Sequence, residues 1–453
     1  MKRRDFVKGL AGAALLPAVP GCITGQGSDA GRKDNAGQTG RKGRSEPDGE
    51  WAPGREPGQG APGSDTGGEL GWDFDEVLDR SGTWSIKYGR AADGEIPLWI
   101  ADMDFRTDPV VKKALQERLE QDVMGYTSTP EAFYEAVRGW LERRHGYRPE
   151  REWVAYCPGV ITSLNQAYLT FTEPGDKIIV QPPVYDHFRL YIERLGRVCV
   201  ENPLIQQKGQ YRMDLEGLER LIDGRTKAIV LCNPQNPIGL VWDQDTLAEL
   251  ARIARRHRLA VFSDEIHADL ALDGRRQLPF CSVSEDAAEV GLVFGGPTKA
   301  FNLAGLSGTA WCVIPNAQKR EKYLNTLRNA KLNEASIPSL VATISAYTHE
   351  PRWLEDLLRY LEGNIGLVCD TLDGRGGIRA VKPEASFLVW LDCRKLPIAP
   401  EELADTFRAQ TGLILSNGLS YGSGGEGFLR MNVGCPRSVL QEALRRIRAA
   451  FDL

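Results

Sequence analysis

Short runs of apolar residues recur along the middle of the chain, and stretches with helical periodicity separate several of them. Five such runs are Lys177–Val180, Ala228–Cys232, Leu259–Phe262, Gly291–Phe294 and Gly308–Ile314. Amphipathic stretches at 109–121, 130–145 and 244–257 have the spacing of helices. Strands that are apolar on both faces are typical of sheets covered by helices on both sides. The pattern therefore predicts an α/β fold with a mostly parallel sheet.

The C-terminal part of the chain has a different pattern. A long helical stretch follows residue 346, and then come two strand-like runs, Ser386–Asp392 and Gly427–Val433, before a closing helix. This mixture predicts a smaller α+β domain, which the N-terminal segment of the folded part completes. The predicted boundaries are 71–108 and 346–453 for the small domain and 109–345 for the large one.

The first 70 residues differ from the rest. The pair Arg3-Arg4 is followed by a short apolar stretch, Leu10 to Val19, and by Cys22, an order that resembles a twin-arginine export signal with a lipoprotein processing site. Residues 1–22 are therefore predicted to direct export, giving either a periplasmic protein or a lipoprotein anchored through Cys22, although Pro20 departs from the usual processing site; a cytoplasmic protein with a frayed basic terminus is the alternative. Residues 23–70 hold 13 Gly and 4 Pro and few large apolar side chains, so they are predicted to form a disordered tether.

Composition excludes several other classes of protein. The net charge is -5 and no long basic run occurs, which argues against a nucleic-acid partner. No apolar stretch is long enough for an ordinary membrane-spanning helix. The nine cysteines form no CxxC pair and only five histidines are present, so no metal site is predicted.

Candidate chemistry lies just after the predicted strands. In open α/β sheets, ligands bind beyond the carboxyl ends of the strands. The polar residues found there are Tyr185, Asn236, Asp264 and Lys299. These four side chains are therefore predicted to line one site.

The sequence around Lys299 and Asp264 indicates particular chemistry for these two side chains. Lys299 follows an apolar strand and a Gly-Gly turn and precedes apolar residues, and an enclosed lysine loses its proton more easily than a solvated one and can form a Schiff base. A carboxylate at the end of a buried strand, such as Asp264, needs a cationic partner, for which a protonated pyridine nitrogen is suitable. A surface lysine and a helix-capping aspartate are the alternative interpretations.

Two further segments fit a ligand with a ring and a phosphate. Asn236 lies in a turn stiffened by Pro234 and Pro237, which would aim its amide from a rigid base, although a plain structural turn has the same pattern. Gly159 leads directly into a predicted helix, Ser163 to Phe171, whose free backbone N–H groups suit a phosphate.

Taken together in chain order, these segments resemble the fold-type I enzymes that use pyridoxal 5'-phosphate (PLP), the aspartate aminotransferase superfamily of class I/II. The resemblance covers about residues 72–453 and is closest to the MalY/PatB subgroup of cystathionine β-lyases. The stretches that carry it are Leu98–Phe105, Gly125–Thr127, Pro183–Tyr185, Asn233–Gly239, Asp264–Asp269, Thr298–Leu306 and Leu429–Asn432. It implies a large PLP-binding domain with a seven-stranded type of sheet and a smaller α+β domain built from both chain ends.

The resemblance also implies roles for residues around the cofactor ring. Lys299 would be the catalytic Schiff-base lysine, and Asp264 would hold the pyridine nitrogen. Asn236 and His267 would lie near the ring hydroxyl, and Tyr185 would stack on the ring.

Further roles concern the cofactor phosphate and the substrate. Gly159, Val160 and Ile161 would offer N–H groups to the phosphate, with Thr298 nearby. Tyr126 would reach the phosphate of a neighbouring subunit, which implies a homodimer. The predicted substrate-binding residues are Arg430, which would grip the substrate carboxylate as a planar fork, together with Asp102 and Tyr126.

Two positions depart from the wider superfamily. Residue 296 is Gly, where many relatives have a Ser that contacts phosphate, and residue 307 is Ser, where classical aminotransferases have an Arg. The lyase subgroup also lacks that Arg. The prediction is therefore β-elimination from a sulfur-containing amino acid, giving pyruvate, ammonia and a thiol. An aminotransferase is the first alternative and a tethered, non-catalytic PLP-binding module the second.

Overall fold

The computed structural model of the protein describes residues 71–207, 210–349 and 351–451. The predicted export signal, its lipid site at Cys22 and the tether at 23–70 lie outside the described residues. No helix of the described ranges is both long and apolar enough to cross a membrane.

Helices and strands alternate through most of the described chain. The helices are α1 (Pro109–Leu119), α2 (Glu131–His145), α3 (Val160–Phe171), α4 (Asp186–Arg194), α5 (Leu215–Leu221), α6 (Gln244–Arg256), α7 (Glu285–Val290), α8 (Ala317–Asn329), α9 (Ile337–Thr348), α10 (Arg352–Leu372), α11 (Leu403–Thr411) and α12 (Arg437–Phe451). The strands are β1 (Ile96–Pro97), β2 (Val154–Cys157), β3 (Lys177–Val180), β4 (Val198–Glu201), β5 (Ile205–Gln207), β6 (Gln210–Arg212), β7 (Thr226–Cys232), β8 (Ala260–Asp264), β9 (Gly291–Gly295), β10 (Ala310–Val313), β11 (Arg379–Val381), β12 (Leu388–Asp392), β13 (Leu413–Ile414), β14 (Ser416–Asn417) and β15 (Phe428–Asn432).

A seven-stranded sheet forms the centre of the large part of the fold. Its strand order is β2-β10-β9-β8-β7-β3-β4. Strand β10 runs antiparallel to both of its neighbours, whereas the pairs among β9, β8, β7, β3 and β4 are parallel. The predicted α/β fold with a mostly parallel sheet is confirmed. All five strands predicted in this region are present.

Apolar residues cover both faces of this sheet, as the unbroken apolar runs predict. On β7, Ala228 and Val230 belong to one buried cluster, with side chains from α3, α4 and α8. The alternate residues Ile229 and Leu231 belong to a second cluster, with side chains from α6 and α7. Because a strand directs successive side chains to opposite faces, a run without polar interruption is what burial on both faces requires.

A smaller antiparallel sheet lies in the C-terminal part, with the order β11-β12-β15-β14. Strand β1, from the other end of the described chain, pairs in parallel with β13. Asn432, at the end of β15, donates through Nδ2 to the backbone carbonyls of Ile100 and Asp102, at 2.7 and 2.6 Å. The smaller α+β part is thus built from both chain ends. The exact domain boundaries at 71–108, 109–345 and 346–453 stay a prediction.

Two details differ from what the sequence pattern indicated. Helix α3 begins at Val160, three residues before the predicted start, because Gly159 takes a positive φ of 119° and turns the chain directly into the helix. The strands β2 and β4 were not predicted. Each has only four residues and lies at an edge of the sheet; β2 (Val-Ala-Tyr-Cys) and β4 (Val-Cys-Val-Glu) are largely apolar, but runs this short do not distinguish a strand from another element by periodicity.

Candidate active site

A cavity of about 760 Å³ lies at the carboxyl ends of the central strands. The sequence-predicted residues that line it are Gly159, Val160, Ile161, Tyr185, Asn236, Asp264, His267, Thr298, Lys299 and Arg430. The structure thus brings together side chains from both sheets in one cavity. Asp102 and Tyr126 are the two predicted site residues that do not line it.

Lys299 follows β9 through a turn that needs glycine at position 296. A Cβ atom on Gly296 would lie 2.3 Å from the carbonyl oxygen of Thr309, so no side chain fits between this turn and the start of β10. The Lys299 Nζ donates to the carbonyl oxygen of Ala101 at 2.7 Å. Burial, reinforced by the positive charge of Arg430, lowers the pKa of Lys299 to about 8. About a tenth of the amine is therefore neutral at pH 7, far more than for an ordinary lysine, and this form can act as a nucleophile or base.

Asp264 is the last residue of β8 and is only 5% exposed. Its Oδ1 accepts a hydrogen bond from the backbone N–H of Ile266 at 3.1 Å. Burial raises the pKa of Asp264 to about 6, against the opposing effect of that hydrogen bond and of Lys299. A cationic group placed against this carboxyl would restore its charged form, since an opposite charge lowers a carboxyl pKa.

Arg430 and Asn236 meet across the two sheets. Arg430 lies on β15 and donates through Nη1 to Asn236 Oδ1 at 3.0 Å and through Nη2 to the carbonyl oxygen of Trp99 at 2.8 Å. Its guanidinium lies 5.1 Å from the ring centre of Tyr421. Within the described residues it has no carboxylate partner, and its buried Nε has no hydrogen bond. A buried, unneutralised guanidinium suits a carboxylate.

His267 is buried beside Lys299 and Arg430. Burial and these two positive charges hold the pKa of His267 well below its usual range, so the imidazole is neutral. Its Nδ1 is buried and has no hydrogen-bond partner among the described residues. A buried polar atom without a partner costs free energy, so a ligand group that pairs with Nδ1 would be favoured there.

The start of α3 forms the other side of the cavity. Gly159 precedes the helix, and the first backbone N–H groups of any α-helix, here those of Val160 and Ile161, have no partner within it. A Cβ atom on Gly159 would meet nothing within 4 Å, so the positive φ, rather than a lack of space, requires glycine. Thr298 lines the same cavity. An anion such as a phosphate suits this place.

Tyr185 lies immediately before α4 and presents an aromatic face to the cavity. Its ring is stacked on that of His187, with the centroids 4.8 Å apart and the planes 4° from parallel. Burial raises the pKa of Tyr185, so its phenol stays neutral. A flat ring in the cavity could stack on it.

The two predicted residues outside the cavity have different surroundings. The carboxylate of Asp102 lies 3.6 Å from Arg80 and 3.8 Å from Lys87, the second of which is fully buried. Its negative charge still raises the pKa of Lys299, which places it near that amine. Tyr126 is fully exposed on this chain. Their predicted roles toward substrate and toward a neighbouring subunit stay predictions.

Several cavity residues were not predicted from the sequence. Tyr421 and Ser416 contact Arg430, and Arg90 lies 4.8 Å above the ring of Trp99 at the cavity wall. None of these three follows a strand of the large sheet, and only polar residues at such strand ends were predicted to line the site. Trp99 lies within the block Leu98–Phe105, but nothing in its local sequence indicates that its carbonyl oxygen accepts from Arg430.

Comparison with known proteins shows which family this chain belongs to. The model of the family described as aminotransferase class I and II matches residues 94–447. Cystathionine beta-lyase PatB of Bacillus subtilis is 38% identical over 386 residues, which cover 84% of this chain and 100% of PatB. Protein MalY of Escherichia coli is 32% identical over 382 residues, which cover 82% of this chain and 97% of MalY.

A solved structure agrees with these matches. Cystalysin from Treponema denticola, whose crystal structure contains pyridoxal 5'-phosphate, is similar with a TM-score of 0.81 and 30% identity, over 84% of this chain and 99% of cystalysin. The family model covers well over half of the chain, and it spans the strands and turns that line the cavity. This chain therefore belongs to the aminotransferase class I and II family.

Proposed function

We propose that this protein is a PLP-dependent carbon–sulfur β-lyase of the cystathionine β-lyase type. The observation that carries the proposal is the pairing of a buried lysine of lowered pKa with an unneutralised arginine in one cavity. Lys299 can hold an aldehyde cofactor and move a proton, and Arg430 can fix an amino-acid carboxylate. The similarity to PatB, whose name states this activity, supports the same conclusion.

The residues of the cavity fit pyridoxal phosphate. The Asp264 carboxyl suits the protonated ring nitrogen, and the unpaired Nδ1 of His267 and the amide of Asn236 suit the ring hydroxyl. The N–H groups at the start of α3 suit the phosphate. When bound, the cofactor withdraws electrons from the substrate α-carbon and so makes its hydrogen acidic.

The chain's own residues then have defined tasks. Arg430 binds the α-carboxylate and fixes the orientation of the amino acid, and its links to Asn236 and to the Trp99 carbonyl hold the guanidinium in place. Lys299, once neutral, accepts the α-proton at Nζ. The Ala101 carbonyl, already 2.7 Å away, holds the amine on the correct side of the cavity.

The overall reaction is an elimination followed by hydrolysis. The bond between Cβ and sulfur breaks with its electron pair on sulfur, and the thiolate takes up a proton. One water is consumed, and the products are one thiol, one pyruvate and one ammonium ion. No keto acid acceptor is needed.

Steady-state product analysis tests the proposal. L-Cystathionine should yield thiol, pyruvate and ammonia in equal amounts without added keto acid, and Lys299→Ala should abolish the reaction. Arg430→Ala should weaken substrate binding by about 2–4 kcal/mol, seen as a raised KM. Turnover that depends strictly on a keto acid and releases no thiol would identify an aminotransferase instead. Cofactor binding with neither reaction would identify the non-catalytic module.

We also propose that the enzyme is a homodimer. An exposed apolar stretch, which includes Leu119, Val123 and Met124, precedes the fully exposed Tyr126. A second copy of the chain would cover these side chains and place Tyr126 near the neighbouring phosphate. Sedimentation velocity should give the mass of a dimer, and a fully active monomer would contradict the proposal.

We further propose that residues 1–22 direct export. The support is the order of Arg3-Arg4, the apolar stretch and Cys22, and the match that covers all of PatB but only 84% of this chain. Cell fractionation should find the protein in the periplasm or on the membrane. Replacing both arginines with lysine should keep the full-length chain in the cytoplasm, and delivery that is unchanged by this substitution would refute the proposal.

A further inference from the structure

A second guanidinium without a counter-charge faces the same cavity. Arg90 lines the cavity wall, and its side chain lies over the Trp99 ring with 4.8 Å between the guanidinium carbon and the ring centre. Within the part of the chain that the structure describes, this guanidinium forms no ion pair and no hydrogen bond through its side chain. The side chain is exposed, so its charge is available to a ligand.

The backbone around Arg90 is held in place by an ion pair. Arg408 binds Glu95 through two hydrogen bonds, of 2.7 and 2.6 Å, and its Nη2 also donates to the carbonyl oxygen of Arg90 at 3.2 Å. Glu95 in turn accepts from the backbone N–H of Ala92 at 2.8 Å. The charge of Arg408 is therefore neutralised by Glu95, and its contact with the Arg90 carbonyl holds the local backbone. Arg90 keeps an unneutralised charge.

Trp99 links this second guanidinium to the first. Its ring supports Arg90, its carbonyl oxygen accepts from Arg430 at 2.8 Å, and its indole N–H donates to the carbonyl oxygen of Lys87 at 3.1 Å. The two guanidiniums thus lie at the two ends of one fixed residue, one deep and one near the mouth. This arrangement matches a ligand with an anionic group at each end.

The acidic residues of the cavity do not neutralise Arg90. Asp186 lines the cavity but pairs with His187, at 2.8 Å between its Oδ1 and the histidine Nδ1. Asp264 lies at the deep end, where its charge acts on Lys299. An anion at the mouth would therefore meet a net attraction.

We propose that Arg90 binds a second carboxylate on the leaving-group side of the substrate, and so selects cysteine conjugates whose thiol carries an acid group. The inference rests on the proposed lyase function. Arg430 takes the α-carboxylate, the sulfur lies between the two guanidiniums, and the distal carboxylate lies against Arg90. Stacking on Trp99 limits the freedom of the arginine side chain and leaves its N–H edge for the ligand.

An isosteric pair of substrates tests this. S-(2-Carboxyethyl)-L-cysteine and S-(2-carbamoylethyl)-L-cysteine differ only in a distal carboxylate against a distal amide. The wild-type holoenzyme should prefer the acid, and Arg90→Gln should lower the acid-to-amide ratio of kcat/KM by about tenfold, as for a hydrogen bond to a charged group. Arg90→Lys should retain part of the preference. Because the contact is partly exposed, added salt should reduce the wild-type preference as well.

Arg394 supplies a matched control variant. It also stacks on an aromatic ring, 4.7 Å from the ring centre of Phe428, but does not line the cavity. Arg394→Gln should keep the acid-to-amide ratio of the wild type. A ratio that is the same in wild type and Arg90→Gln would overturn the proposal for Arg90.

Failure of the lyase function is distinguishable from failure of this inference. If the wild type cleaves neither conjugate, the lyase proposal fails, and calorimetric Kd values of the two conjugates for the holoenzyme replace kcat/KM. A preference for the acid that Arg90→Gln removes would then still support the distal carboxylate site, and equal Kd values would reject it.

Discussion

At the scale of single residues, the reactivity of Lys299 depends on the charges around it. Its pKa is lowered to about 8 by burial and by Arg430, while Asp102 and Asp264 act in the opposite direction. The ammonium form predominates below that pKa and the neutral amine above it. Since only the neutral amine attacks an aldehyde, the pKa sets the pH range in which the lysine can take up its cofactor.

We expect the rate of pyridoxal phosphate capture by cofactor-free protein to rise with pH through a midpoint near 8 and then level off. Absorbance at the wavelength of the bound, yellow cofactor measures this rate. Asp102→Asn removes a negative charge and should move the midpoint to lower pH, whereas Arg430→Gln removes a positive charge and should move it to higher pH. A midpoint near 10.4, the value of an ordinary lysine, would contradict the burial of this amine.

The same residue scale explains what the sequence revealed about the site. Lys299, Asp264 and Asn236 follow strands of the large sheet, and the carboxyl ends of such strands meet in space, so their order along the chain predicted their meeting. Arg90, Ser416 and Tyr421 reach the cavity only through packing of the smaller sheet on the larger one. Contacts between residues hundreds of positions apart leave no local pattern, so the second guanidinium could not be predicted.

At the scale of elements, the turn after β9 that carries Lys299 packs closely against the backbone at the start of β10, which restricts its sequence. Gly296 lies between β9 and the start of β10, where a Cβ atom would come within 2.3 Å of the Thr309 carbonyl oxygen and 3.1 Å of the Ala310 Cα. Both neighbours are backbone atoms, which cannot rotate away. The absence of a serine at this position therefore follows from how closely the turn packs here.

We expect Gly296→Ala to destabilise the fold by about 1–3 kcal/mol, the usual cost of overpacking, and to weaken cofactor binding because the turn must move. Gly305→Ala is the matched control, since a Cβ atom there would meet nothing within 4 Å. Urea unfolding of both variants, with cofactor absorbance as a second readout, measures the difference. Equal stability of the two variants would show that the turn has room to adjust.

The strands of the fold differ in how well the sequence pattern predicts them. The apolar runs predicted β3, β7, β8, β9 and β10 because strands buried on both faces admit few polar residues. The edge strands β2 and β4 are largely apolar as well but were not predicted, and the strands β1, β13 and β14 have only two residues each, too few for a pattern to identify. Each of these strands pairs with whichever strand has an unpaired edge in the folded protein. The arrangement of the other strands decides this, and the local sequence does not.

At the scale of the whole molecule, the buried carboxyl of Asp264 affects stability. Its pKa of about 6 in the folded protein lies above 3.8, the ordinary value of an aspartate. The folded state therefore holds the proton more tightly than the unfolded state between these two values. Stability falls as pH rises through this window, and above it the loss remains but grows no further.

We expect Asp264→Asn to be more stable than the wild type in cofactor-free form above pH 6, by about 2–3 kcal/mol. Below pH 4 the advantage should vanish, because the wild-type carboxyl is then protonated in both states. Urea unfolding from about pH 3 to pH 8 measures this. With the cofactor bound, the advantage should reverse, since the carboxyl then faces a cationic ring nitrogen; a gain that persists in the holoenzyme would argue against that pairing.

The pairing of the two chain ends has a consequence for biosynthesis. Asn432 donates to the carbonyls of Ile100 and Asp102, and it is synthesised 332 and 330 residues after them. Arg430 donates to the carbonyl of Trp99 and is synthesised 331 residues after it. At ~5–20 residues per second, a ribosome takes on the order of 15–70 s to cover that distance. For most of that interval strand β1 lacks β13, its partner in the structure, and throughout it the carbonyls of Trp99 and Ile100 lack the side chains that donate to them. The enzyme can therefore enclose its cofactor only after synthesis is almost finished.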